Sequence, residues 1–291
     1  MVLEQRQFGK NGPYVQPLGL GCMGMSQSYG PAEEKESLRV LERALEKGCT
    51  FWDTADIYGA GENEKLVSKL LKDHRNKVFL SAKFGIRREP DGSTSSDPCG
   101  KPEYVRKACE ASLERLGVDV IDLYYLHRVD PNTKAKSDTL ANLNAVANAP
   151  CLQSASDQCS SNGILAVEQN GLLQAARELG VAIVCCCPLG REFLTGAIKS
   201  FEDFDQGDLR RTLPRFSPEN FHKNLELIEM IHQLANKKGV HSKSYLDDNL
   251  GAAQVSLTPE EVAEMRKVVQ EAEIAGGRYA ADYKWTDNTT E

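Results

Sequence analysis

The chain has 291 residues, of which 41% are hydrophobic and 26% charged, and its 35 basic and 42 acidic side chains leave a net charge of −7. This is the composition of a globular protein with enough apolar mass for a full core, which excludes disordered and fibrous classes. The acidic balance argues against a nucleic-acid partner. With neither a bilayer-spanning apolar run nor a signal-peptide pattern, a cytosolic protein with no membrane partner is expected.

In chain order, Val15 to Gly21 reads as a strand. Glu33 to Lys47 reads as a helix with Leu38, Leu41 and Leu45 on one face and Gly48 as its stop. A second strand, Thr50 to Asp53, is followed by a helix from Glu62 to Leu71. A third, Val78 to Lys83, is apolar enough to be covered on both sides. Residues 86 to 101 have the Pro, Gly and Ser content of a long loop and suggest a substrate lid. A helix from Pro102 to Leu116 leads to a fourth strand, Val118 to His127. Repeated strand and helix predict a parallel sheet, here one barrel domain over residues 1 to 291.

Residues 131 to 163 show no clear periodicity. Beyond them come a helix at Leu172 to Leu179, a strand at Val181 to Cys187, a mixed loop to about Pro218, a helix around Leu225 to Lys237, and a last helix at Pro259 to Ala275. The nine cysteines contain no CxxC pair. The consecutive Cys185, Cys186 and Cys187 alternate in direction along a strand and cannot all ligate one ion, so no metal site is expected.

Four polar residues fall at one edge of this sheet: Asp53, Lys83 and His127 at successive strand ends, and Tyr58 on the loop after Asp53. In a parallel barrel that edge is the C-terminal face, where active sites are built. A phenol beside an ammonium favours its phenolate, a carboxylate holds the ammonium charged and oriented, and a histidine can fix a substrate oxygen. The set suits polarisation of a carbonyl for hydride attack, the hydride coming from a nicotinamide because no side chain can supply one. Two rivals read the same residues otherwise. Gly19, Gly21 and Gly24 spell a dinucleotide-binding GxGxxG, which requires a helix at its third glycine. A Schiff-base lyase requires Lys83 largely neutral.

The pair within DTADIY, with LSAKFG and YYLHR, resembles the aldo-keto reductases. LGLGCMGM at 18 to 25, the run at 104 to 130 and LLQAARELGVAIV at 172 to 184 are similar to the subgroup of fungal and plant enzymes akin to perakine and pyridoxal reductases. The resemblance implies a (β/α)8 TIM barrel, NADP(H) as cofactor and a small carbonyl substrate reduced to an alcohol. Tyr58 would be the general acid, supported by Asp53, Lys83 and His127, with His127 also on the substrate. Cofactor contacts would come from Asp53, Pro188, Leu189, Gly190 and Arg191, with Lys243 on a 2′-phosphate and Asp248 and Asn249 near the adenine.

The departures fall on the cofactor side. Residues 131 to 169 do not match the family's fifth and sixth strands, Cys186 stands where an aromatic ring stacks, and Glu192 places an acid near the expected phosphates. After Gly239 an eighth strand is not legible. A second reading therefore stays open: a pseudoenzyme or ligand-binding protein that keeps the four-residue site with an impaired cofactor groove.

Overall fold

The computed structural model describes residues 4–26, 28–89, 94–95, 97–128, 130, 171–185, 187–237 and 245–279. The region 131 to 169, Cys186 and Lys243 lie outside the described residues. An antiparallel hairpin, β1 (Arg6–Gln7) and β2 (Tyr14–Val15), precedes a parallel sheet in which β3 (Leu20–Gly21), β4 (Phe51–Asp53), β5 (Phe79–Phe84) and β6 (Leu123–Leu126) lie in sequence order. Between them run α1 (Glu34–Glu46), α2 (Glu62–His74) and α3 (Pro102–Leu116). Later come α4 (Leu172–Leu179), α5 (Pro218–Lys237), α6 (Tyr245–Gly251) and α7 (Pro259–Glu271).

The pleat of β5 explains the layering. Leu80, Ala82 and Phe84 point one way, into a core with Trp52, Val67, Leu71, Val105 and Leu116 from the neighbouring strand and helices. Ser81 and Lys83 point the other way, to the side shared by Asp53 and Tyr125. On that same side Phe8 of the hairpin meets Phe51 and Phe79 with ring centroids 6.1 and 5.9 Å away, closing the end of the sheet opposite the strand C-termini. Phe8 and Phe51 are buried, and each such ring contributes roughly 1.5–3 kcal/mol.

Several expected boundaries move, each for a local reason. The run from Val15 to Gly21 is two strands, because Pro17 has no N–H for a ladder; Val15 ends the hairpin and β3 starts at Leu20. The fourth strand begins only at Leu123, since Asp122 turns its carboxylate back to the Leu80 N–H at 2.7 Å and to Arg75. Residues 181 to 185 form no ladder among the described residues, although Ala182 and Val184 pack against the inner cluster of Phe8, Phe51 and Tyr125. The helix expected from Leu225 begins at Pro218, and the last helix opens on a Thr258–Glu261 capping box and stops at Glu271.

The loop before α5 is not formless. Phe193, Phe204, Phe216 and Phe221 draw its short 3-10 turns into a second core, with Phe193 and Phe221 centroids 5.1 Å apart. Among the described residues no helix is long and apolar enough to cross a membrane, and no group of three or more potential ligands is placed to hold a metal ion.

Candidate active site

The four sequence-predicted residues meet at the C-terminal edge of the sheet. Asp53 ends β4 and is paired across the ladder with Ser81, while Lys83 is paired with Tyr125. Lys83 is 4% exposed. Its Nζ donates to Asp53 Oδ2 at 2.5 Å, to the Thr54 carbonyl at 2.9 Å and to the Tyr58 hydroxyl at 3.0 Å, which uses all three ammonium donors. The second Asp53 oxygen accepts from Ser81 Oγ at 2.9 Å and from the Tyr125 hydroxyl. Burial pulls the lysine towards neutrality, but Asp53, then Tyr125 and Tyr58, outweigh it and hold the ammonium well above its ordinary range.

His127 is fixed by its backbone N–H, which donates to the Phe84 carbonyl at 2.6 Å. Its ring meets the Tyr58 ring edge-on, with centroids 5.7 Å apart. Nδ1 is buried and has no hydrogen-bond partner. Burial first, and then the charges of Lys83 and Arg128, push the imidazole well below its ordinary pKa. It is therefore neutral at pH 7, able to donate from one nitrogen and accept at the other.

The turn that swings Tyr58 over Lys83 is tied down on both flanks. Thr54 donates from its backbone to Ser81 and from Oγ1 to Asn63, whose amide in turn donates to the Cys22 carbonyl and Ser26 Oγ. Gly59, Ala60 and Gly61 then run through left-handed backbone. Gly61 is required there twice over: its φ is +91°, and a Cβ would lie 2.6 Å from Arg115 Cδ. That space lets Arg115 Nε reach Glu64 Oε2 at 2.6 Å, where the glutamate is fully buried.

Beside this ion pair sits Asp56, whose Oδ1 is buried without a partner. Burial, reinforced by the Glu64 charge, pushes its carboxyl up to about 7. The native state thus keeps a proton that the unfolded chain loses between the ordinary carboxylate value and about 7, so stability falls as pH rises through that window. Asp56→Asn should raise stability above pH 7 by roughly 2–4 kcal/mol and change little near pH 4. Urea midpoints for both proteins at the two pH values check this, and equal midpoints at high pH would refute it.

The remaining predicted residues divide. Arg191 lies beside the C-terminal edge of the sheet: its guanidinium stacks on the Tyr279 ring at 4.8 Å, and the Tyr279 hydroxyl accepts from Arg128, the neighbour of His127. Leu189 and Gly190 form the turn leading to it, with Gly190 N–H donating to the Cys187 carbonyl and Leu194 N–H to the Leu189 carbonyl; Pro188 is exposed. The Glu192 carboxylate is paired with Arg210 at 2.7 Å, which offsets the charge that its sequence position brings to this turn.

Asp248 and Asn249 are not brought to the edge. Their helix α6 packs through Leu246 and Leu250 on Leu18, Ala44 and Cys49, at the opposite end of the sheet, and its Asp247 pairs with Arg43 and Lys47. The apolar pair, not the acidic one, decides where a helix this short docks. The GxGxxG reading also lacks its helix, because a 3-10 turn follows Cys22 and α1 starts only at Glu34.

A model of the Aldo/keto reductase family matches residues 17–158. The sequence is 36% identical to a Schizosaccharomyces pombe protein named as an NADP(+) aldo-keto reductase, yakc, over 96% of this chain and 95% of that one. It is 37% identical to the aldo-keto reductase str7 of Strobilurus tenacellus over 96% of each. The chain belongs to the aldo/keto reductase family. Among solved structures, the glycerol dehydrogenase of Gluconobacter oxydans matches with a TM-score of 0.71 at 22% identity, over 92% of this chain and 95% of that one. An aldo-keto reductase of Bacillus halodurans matches at 0.63 and 25% identity, over 94% and 98%. The fold is the (β/α)8 barrel expected from the sequence, and the described parallel strands of this aldo/keto reductase are β3 to β6.

Sequence reasoning missed Ser81, Tyr125, Asp56 and Tyr279. Period-two spacing alone carries a signal for the first two, since Ser81 shares a face with Lys83, and Tyr125 sits opposite Lys83 in the ladder. Nothing local marks Asp56, or Tyr279, which meets Arg128 and Arg191 from far along the chain.

Proposed function

We propose that this protein is an NADP(H)-dependent oxidoreductase that reduces an aldehyde or ketone to an alcohol and runs the reverse oxidation, with Tyr58 as general acid. The observation that carries the reading is the three-donor Lys83 ammonium. It spends one N–H on the Tyr58 oxygen, so the phenolic hydrogen is not used on lysine. Donation from Lys83 also stabilises the phenolate left after proton transfer.

Asp53 acts through Lys83, keeping it charged and aimed, while Ser81 and Tyr125 fix the carboxylate. Neutral His127 holds the carbonyl oxygen by a hydrogen bond, edge-on to Tyr58. Lys83 is no Schiff-base nucleophile, because its environment keeps it protonated.

The residues present fit a dinucleotide cofactor. Arg191 stands beside the C-terminal edge of the sheet, and Glu192 is paired with Arg210. When bound, the nicotinamide supplies the hydride. The turn 187–191 would hold its phosphates.

The test is oxidation of NADPH by purified protein against a panel of aldehydes and ketones, followed by nicotinamide absorbance. Carbonyl-dependent turnover is expected. Sub-micromolar NADPH binding by fluorescence titration with no turnover on any carbonyl would favour a binding protein instead. The kcat/KM profile should show no step near the ordinary imidazole pKa of about 6.5, because His127 is already neutral there. A step at that value would assign His127 the wrong protonation state.

A further inference from the structure

Three residues of the turn before the second core hold left-handed backbone without being glycine: Cys187 at φ +51°, Arg191 at +58° and Glu192 at +75°. A residue with a Cβ adopts that conformation at a cost, so neighbouring groups must hold it there. The group placed to do so is a guanidinium from outside the turn. Arg210, 4% exposed, donates through Nη1 to the Arg191 carbonyl at 3.2 Å and to Glu192 Oε2 at 2.7 Å. The backbone of one strained residue and the side chain of the next end on the same nitrogen.

Arg210 is itself anchored. Its Nε and Nη2 donate to Asp208 at 3.0 and 2.6 Å, and Asp208 is 2% exposed. The same carboxylate accepts the Arg210 backbone N–H at 2.7 Å. Burial works against the charge on Arg210, but Asp208 and then Glu192 outweigh it and hold the guanidinium above its ordinary range. Its Cζ lies 4.9 Å from the centre of the Tyr29 ring and 4.8 Å from that of Phe204, which belongs to the second core.

The Tyr29 contact reaches the other half of the site. Tyr29 stands on the loop after β3, which meets the Arg210 segment a second time where the Leu209 N–H donates to the Ser28 carbonyl at 2.9 Å. That loop also carries Ser26, whose Oγ accepts from Asn63 beside the Tyr58 turn. One buried cation therefore touches both the turn that presents Arg191 and the loop that braces Tyr58.

We propose that Arg210 is a positioning residue for cofactor binding: through Glu192 it locks the strained turn at residues 187 to 192 and ties it to the loop after β3, so that the turn is formed before the dinucleotide arrives. The identity of that ligand rests on the reductase reading; the lock itself does not. A turn already held in place has less freedom to lose on binding, whereas an unlocked one relaxes and must be re-formed each time. The loss should fall on affinity and spare the chemistry, because Tyr58, Lys83 and His127 are held by bonds of their own.

Hydrogen exchange of the cofactor-free chain reads the lock directly. The Gly190 and Leu194 amides, bonded to the Cys187 and Leu189 carbonyls, should exchange about tenfold faster or more in Glu192→Ala and in Arg210→Lys, while peptides from α2 and α3 keep the parent rates. Arg210→Lys keeps a charge beside the buried Asp208 but loses the fork. Glu192 is only half-buried, so its variants carry the decisive comparison whether or not Arg210→Lys folds. Glu192→Ala loses the ion pair and keeps the left-handed strain, whereas Glu192→Gly loses both. Fluorescence titration with NADPH should give a Kd about tenfold weaker than the parent in Glu192→Ala and an intermediate value in Glu192→Gly, with kcat at saturating NADPH within about threefold of the parent in both. Unchanged exchange at the turn in Glu192→Ala, or NADPH affinity within twofold of the parent, would overturn the proposal. So would a kcat that falls as far as the affinity does, the mark of a general scaffold residue. A parent that binds no NADPH sinks the reductase reading instead, and the exchange rates still decide the lock.

Discussion

Replacing Tyr58 by phenylalanine should lower kcat for carbonyl reduction by roughly 10³-fold, within the 10²–10⁴ range of a positioned general acid. The substitution removes one oxygen and little else. Tyr58 is 7% exposed and its ring packs edge-on to His127, contacts that phenylalanine keeps. Lys83 loses one acceptor but retains Asp53 and the Thr54 carbonyl, so the site stays folded and charged. Steady-state rates at saturating NADPH, with NADPH binding measured separately by fluorescence, isolate the chemical step. A kcat within threefold of the parent would remove Tyr58 from the acid's role and leave the Lys83 ammonium as the nearest donor.

The residues of this site are legible in the sequence because strand ends are. An apolar run stops where its polar residue begins, so Asp53, Lys83 and His127 fall into line once β4, β5 and β6 are recognised. What holds Tyr58 in place is less visible. Arg115 ends a helix and Glu64 begins one, and nothing in either amphipathic pattern says that they meet under a left-handed Gly61. The aromatic core around Phe193 and Phe221 also escapes periodicity, because 3-10 turns of three or four residues have no repeat to read. Residues 181 to 185 mislead in the opposite sense: their apolar pattern is that of a strand, and they occupy a place on the inner cluster, yet carry no ladder in the described residues.

The largest stability effect is expected at Arg115, behind the turn that carries Tyr58. Glu64 is fully buried, and the Arg115 guanidinium pairs with it at 2.6 Å. Burial drives Glu64 upward and Arg115 draws it back. Removing the arginine leaves a buried carboxylate beside Asp56, itself held near 7. Arg115→Met should therefore destabilise the protein by about 3–5 kcal/mol at pH 8, the usual cost of orphaning one member of a buried pair. The sign follows from the raised carboxyl values: as pH falls through about 7 and below, both acids take up protons and the loss shrinks. Adding Glu64→Gln to Arg115→Met removes the orphaned charge and should recover most of the stability, a non-additivity that a double-mutant cycle in urea reads directly. Because Gly61 and Arg115 hold the end of the turn that carries Tyr58, kcat should fall in Arg115→Met even where the protein remains folded. Additive destabilisation with an unchanged kcat would show that the pair neither compensates buried charge nor steadies Tyr58.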